Sequence, residues 1–194
     1  VTAVNDLASS TAWTVSLDLS GPGASATMSF GLDALASDGL DLALTAPNSE
    51  AALPSFAGTP FAAFPIPSAF GSDLSLTDFR ATSPAAAVEW QVQVNGLSSV
   101  PADYPLDLTW VLPAGFPTTG TIRIKDNTGS IFDVNLRATT TVQITDSTVN
   151  DIRITYDPTA TNNFDPPVVA NAIADPAQLT AGDAALDIDV AAAP

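Results

Sequence analysis

Three aspartates, Asp33, Asp38 and Asp41, surround Gly39 in the stretch "LDALASDGLD". Hard oxygen ligands on a flexible loop suit calcium, which takes carboxylates, amide oxygens and backbone carbonyls in irregular geometry. Asp38 and Asp41 flank the glycine and are the candidate metal ligands, with calcium as the candidate cofactor. The spacing lacks the full ligand set of a dedicated calcium loop. The simpler reading is an Asp-Gly turn in which a carboxylate caps backbone N–H groups. A sparser group, Asp157, Asn162, Asn163 and Asp165 in "DPTATNNFD", offers similar oxygens or is a solvated linker.

Other chemistry is scarce. The chain has no His and no Cys, so the usual general bases, nucleophile activators, transition-metal ligands and disulfides are missing. A serine nucleophile would need Lys125 as its base, beside an expected hairpin turn. An aspartate pair could in principle hydrolyse a glycoside, but with 19 Asp scattered through turns the presence of a pair carries no information. The chain is expected not to be an enzyme. Trp13, Trp90 and Trp110 could stack on sugar rings, yet each lies on the apolar side of an alternating segment, where tryptophan packs in a core.

Composition narrows the partners. Acidic residues number 21 against five basic ones, Arg80, Arg123, Lys125, Arg137 and Arg153, for a net charge of −16. Such a chain repels phosphate, so neither nucleic acid nor an anionic membrane surface is an expected partner. No 18-residue apolar run lacks proline, and a membrane-spanning helix is not expected. Asp outnumbers Glu by 19 to two, and 16 prolines and 11 glycines accompany it. Turns rather than helices follow.

Period-two alternation runs along the chain. "AVEWQVQVN" places Val88, Trp90, Val92 and Val94 on one face, and "PLDLTWVL" does the same with Leu106, Leu108, Trp110 and Leu112. "AWTVSLDLSGPGASATMSFGL" and "TIRIKDNTGSIFDVNL" read as hairpins, followed by "TTVQIT" and "NDIRITY". Seven or more strands between residues 12 and 157 predict an all-β, antiparallel, immunoglobulin-like β-sandwich with extended terminal segments, the other option being a closed barrel. Trp90, Val92, Leu108, Trp110, Ile122, Ile124, Ile152 and Ile154 are its expected core. Residues 1–11 form an N-terminal extension, and 158–194 a linker ending in a strand segment. The uncharged run from Ala51 to Ser72 holds Phe56, Phe61, Phe64 and Phe70. Its Pro60, Pro65 and Pro67 argue against a helix or a central strand. The expectation is an extended crossover whose phenylalanines either close the sandwich or await a neighbour, with Phe61 and Phe64 as candidate partner contacts.

Phe30 and Gly31, then Ala36, Ser37, Asp38, Gly39, Leu40 and Asp41, then Pro54, followed by "LSLTDFR", "VEWQVQV" and "DLTWVLP", resemble a poorly characterised immunoglobulin-like β-sandwich module of large secreted bacterial surface proteins. The likeness covers roughly residues 12–157, and the crossover here has fewer consecutive prolines than that module. It implies a surface location and a sandwich fold, and no activity.

The first residue is Val1, without an initiator Met, as in a mature secreted protein, and the expected location is extracellular or the cell surface. "ALDIDVAAAP" alternates Leu186, Ile188 and Val190 with Asp187 and Asp189. A lone strand cannot satisfy its own backbone groups, so these three residues are candidate partner contacts with another copy of the chain. "VTAVNDLA", with less regularly spaced Val4 and Leu7, is the other possible donor. The leading expectation is a self-associating structural subunit. The competing one is a carbohydrate- or cell-surface-binding accessory module, assisted by calcium.

Overall fold

A computed structural model describes residues 12–22, 24–44, 48–52, 62–68, 71–82, 86–94 and 104–160, all within the first of the two units into which the chain divides, Val1–Thr161. The expectations for residues 1–11, Phe56, Phe61, Phe70, Asn162, Asn163, Asp165, Leu186, Ile188 and Val190 lie outside these residues.

The described residues form eleven strands and no helix. They are β1 (Trp13–Gly21), β2 (Ala24–Asp33), β3 (Ala62–Ser68), β4 (Gly71–Ser75), β5 (Thr77–Ala81), β6 (Val88–Val94), β7 (Leu106–Val111), β8 (Thr121–Asp126), β9 (Asp133–Asn135), β10 (Thr141–Ile144) and β11 (Asp151–Asp157). They build a five-stranded sheet in the order β10-β7-β1-β2-β5 and a six-stranded sheet in the order β4-β3-β6-β11-β8-β9. The two sheets share one core, the arrangement of a β-sandwich.

Alternation explains why these segments pair as they do. Along β1 the burial reads inward at Trp13, Val15, Leu17 and Leu19, with Ser16, Asp18 and Ser20 exposed. All eight residues expected in the core are buried. Trp13 joins the layers, meeting Phe30, Trp90, Phe116 and Tyr156 edge-to-face at centroid distances of 6.0, 5.8, 4.8 and 5.4 Å. Such geometry adds about 0.5–1.5 kcal/mol per pair beyond burial. Next to this cluster, Gly31 pairs with Thr14, and a Cβ there would overlap the Trp13 carbonyl oxygen and come 3.1 Å from the Phe79 ring.

Two features depart from the sequence expectation. The β2–β5 ladder is parallel, Ser29 opposite Thr77 through Asp33 opposite Ala81, within an otherwise antiparallel fold. The second is that the proline-bearing crossover contains a strand, β3, inside the sheet order rather than unpaired cover. Parity reconciles Pro65 and Pro67 with it. The Val94 N–H bonds the Asn150 carbonyl at 2.9 Å on the β11 side, so the backbone groups of Gln93 face β3 and those of Ala63, its partner, face β6. Pro65 and Pro67 share the parity of Ala63, so their missing donors fall on the β6 side, where the ladder stops at Ala63. Phe64, Ile66 and Ser68 face β4 and pair with it in full. Proline is tolerated there because no ladder bond asks for its N–H.

Candidate functional site

The loop from Asp33 to Glu50 holds the sequence-derived metal candidates, and its hydrogen bonds show what each does. Asp41 accepts from the Ser37 N–H at 2.6 Å through Oδ2 and from the Ser37 hydroxyl at 2.9 Å through Oδ1. The Gly39 N–H in turn donates to the Ser37 hydroxyl at 3.2 Å. Asp33 accepts from the Leu35 N–H and from Asn48 Nδ2, and these bonds hold its carboxyl below the usual range. Asp38 points away with its side chain 96% exposed, 3.8 Å from Arg80. Among the described residues no group of three or more carboxylates is placed to hold a metal ion. Asp41 thus caps the Asp-Gly turn through Ser37, and Asp38 stands exposed beside Arg80.

The residues that organise this loop are ones the spacing of aspartates does not reveal. Glu50 has no exposed surface. Its Oε1 accepts from the Phe79 N–H at 2.5 Å and its Oε2 from the Asp41 N–H at 2.7 Å, so one carboxylate ties the loop to β5. Burial raises its pKa, against the two hydrogen bonds that lower it. Asp78, 2% exposed, is raised to about 7 by burial, with Arg80 opposing and Glu50 reinforcing the shift. Arg80 bridges Asp78 Oδ2 at 2.8 Å and the Asp38 carbonyl at 2.9 Å. Perturbed carboxylates often mark catalytic sites. Here both lie inside the fold and bind backbone or Arg80, so the cluster fastens the loop. Two signals in the sequence point to it: Glu50 is one of two glutamates and opens the uncharged run, and Asp78 and Arg80 share one face of a strand.

The strand edges are more distinctive. An unpaired edge is a template for another chain, and on three of the four sheet edges some of the outward backbone groups are met locally. On β5 the outward Phe79 N–H is held by Glu50 and the Thr77 N–H by the Ser75 hydroxyl at 3.1 Å. On β9 the Asp133 carbonyl accepts from Arg123 at 3.2 Å and the Asn135 carbonyl from the Ala138 N–H at 3.0 Å. On β10 the Thr139 hydroxyl engages both the Thr141 N–H and its carbonyl, at 3.3 and 3.1 Å. On β4, Gly71, Asp73 and Ser75 face β3, which leaves the backbone groups of Ser72 and Leu74 outward, with no partner among the described residues.

The remaining candidates sort quickly. Phe64 is fully buried against Phe30 at 6.5 Å, so its side chain serves its own core and not a neighbour. Trp13, Trp90 and Trp110 are all buried and form no sugar platform. Lys125 lies on the outer face of β8, paired across the sheet with Arg153 and Asp133. An open polar depression on the outer face of the six-stranded sheet is lined by Pro65, Gln91, Gln93, Val94, Asn150 and Asp151. No helix among the described residues is long and apolar enough to cross a membrane. No protein-family model matches the chain, and no curated protein or solved structure shows significant similarity to it.

Proposed function

We propose that this protein is an extracellular or cell-surface structural subunit, a β-sandwich that associates with copies of itself by strand addition into a filament or layer. The observation that supports this reading is the β4 edge, whose outward groups at Ser72 and Leu74 meet no partner among the described residues, whereas some outward groups of the β5, β9 and β10 edges are met by local bonds. Strand addition supplies main-chain hydrogen bonds and apolar anchors together, and the alternating Leu186, Ile188 and Val190 provide such anchors. The resemblance of the Phe30–Gly31 and Ala36–Asp41 motifs to secreted surface modules supports the location.

Copies carrying −16 each repel one another, and salt screens that repulsion within a Debye length of about 8–10 Å. The purified chain should therefore elute as a large species on size-exclusion chromatography at about 150 mM salt or with millimolar calcium, and negative-stain images should show regular polymers. Low salt should shift it toward monomer. A chain that stays monomeric under all these conditions overturns the reading. Retention of such a monomer on a polysaccharide column would favour the competing carbohydrate-binding module, for which the amide-lined depression around Gln91, Gln93 and Asn150 is a candidate surface among the described residues.

A further inference from the structure

The β4 edge is half of a larger feature. β5 pairs with β2 only from Ser29 to Asp33, so the Ala24–Met28 half of β2 has β1 on one side and no strand on the other among the described residues. The Ser29 N–H bonds the Leu76 carbonyl at 2.9 Å, which fixes the parity: odd-numbered residues of β2 turn their backbone groups away from β1. Ser25 and Thr27 therefore present N–H and C=O groups to the same side as Ser29, and no backbone bond among the described residues meets them. The chain bends at Leu76, where β4 of one sheet hands over to β5 of the other. From that hydrogen bond two edges run on into different sheets, Ser25 and Thr27 on β2 and Ser72 and Leu74 on β4, and they bound a notch that starts at Leu76. Along β2 the inward neighbours of the notch, Ala26 and Met28, are apolar and buried, and the outward ones, Ser25 and Thr27, are polar and exposed.

We infer that this notch is the acceptor site for residues 185–190 of a second copy of the chain. The inference rests on the self-association reading and names its two surfaces. The segment "ALDIDV" matches the notch position by position: Leu186, Ile188 and Val190 fall on the face of Ala26 and Met28, and Asp187 and Asp189 on the face of Ser25 and Thr27. The length of chain allows it. From residue 161 to residue 184 an extended backbone reaches about 80 Å at about 3.3 Å per residue, enough to leave one sandwich and enter the next.

The test uses proline, which removes a donor only where it is placed. The N–H groups of Thr27 and Leu74 point into the notch, so Thr27→Pro and Leu74→Pro delete no existing ladder bond. In the full chain each should keep the strand circular dichroism and buried-tryptophan fluorescence of the wild type while lowering the polymerised fraction, measured by sedimentation, at least tenfold. If either variant fails to fold, cysteine pairing decides. The chain has no Cys, so a mixture of full-length Ser72→Cys and Asp187→Cys proteins, whose side chains share the exposed face, should form the mixed disulfide between copies under mild oxidation. Folded proline variants that polymerise like the wild type, or absence of the mixed disulfide in a polymerising mixture, overturns the notch and leaves self-association standing. A chain carrying both Ser72→Cys and Asp187→Cys that closes the disulfide within a single monomer overturns exchange between copies. A wild type that never polymerises removes both.

Discussion

Asp126 shows how one buried side chain builds a hairpin. It is 4% exposed, yet its carboxylate stays ionised far below the ordinary range: burial opposes ionisation, and hydrogen bonds from Thr128, Phe132 and Ile131 outweigh it. Oδ1 takes the Ile131 and Phe132 N–H groups at 2.8 and 3.0 Å, and Oδ2 takes the Thr128 N–H and hydroxyl at 3.0 and 2.6 Å. The connection between β8 and β9 thus has its donors satisfied by a residue of its own strand. Asp126→Ala leaves three backbone donors short of an acceptor, and urea denaturation should show a loss of about 2–4 kcal/mol at neutral pH. Asp126→Asn keeps one accepting oxygen and should lose less. Equal losses in the two variants would mean that volume, not hydrogen bonding, sets the effect.

At the scale of elements, the parallel strand β5 depends on Glu50. Strand and loop meet where its carboxylate takes the Phe79 and Asp41 N–H groups. Glu50→Ala should lower stability by about 2–4 kcal/mol through two unsatisfied buried donors, and should raise amide exchange at Phe79 and Asp41 above that of neighbouring β1 and β2 amides. Exchange rising equally throughout the sheet would argue that the loop and β5 are not a separable unit. These elements also show what sequence can carry. The hairpins and core of β1, β2, β6, β7, β8 and β11 were legible because period-two alternation is written in adjacent residues. The parallel β2–β5 ladder and the Phe79 end of the Glu50 tie were not, since they join positions 29 residues or more apart in sequence. Asp38 and Asp41 show the limit of spacing, which reports proximity without saying which way an oxygen points: the Asp41 carboxylate takes Ser37 and that of Asp38 is exposed beside Arg80. The two prolines of β3 hid a strand because the rule against them holds only for residues whose N–H faces a partner, and that parity is set by β6.

For the whole molecule, opposite pKa shifts set the pH dependence of stability. Asp33, Asp126, Asp146 and Asp157 are all lowered by hydrogen bonds that favour the ionised form, so the stability they contribute is present above their unfolded value of about 4 and is lost as pH falls below it. Glu50 and Asp78 are raised, chiefly by burial. Their folded forms hold protons that the unfolded chain has released, so stability decreases as pH rises from about 4 to about 7. Asp78, raised from 3.8 to about 7, corresponds to as much as about 4 kcal/mol across that window at about 1.4 kcal/mol per pH unit. Repulsion within a chain of net charge −16 acts in the same direction, because deprotonation adds to it. Thermal unfolding should therefore give a maximum Tm at about pH 4–5, a decline toward about pH 7 and a second decline below about pH 4. Asp78→Asn should flatten the decline on the neutral side and leave the acid limb unchanged, whereas added salt should flatten only the part that comes from net repulsion. A variant whose decline stays as steep as the wild type would place the titrating proton on Glu50, and a Tm that rises steadily across the same range would contradict the buried acidic pair altogether.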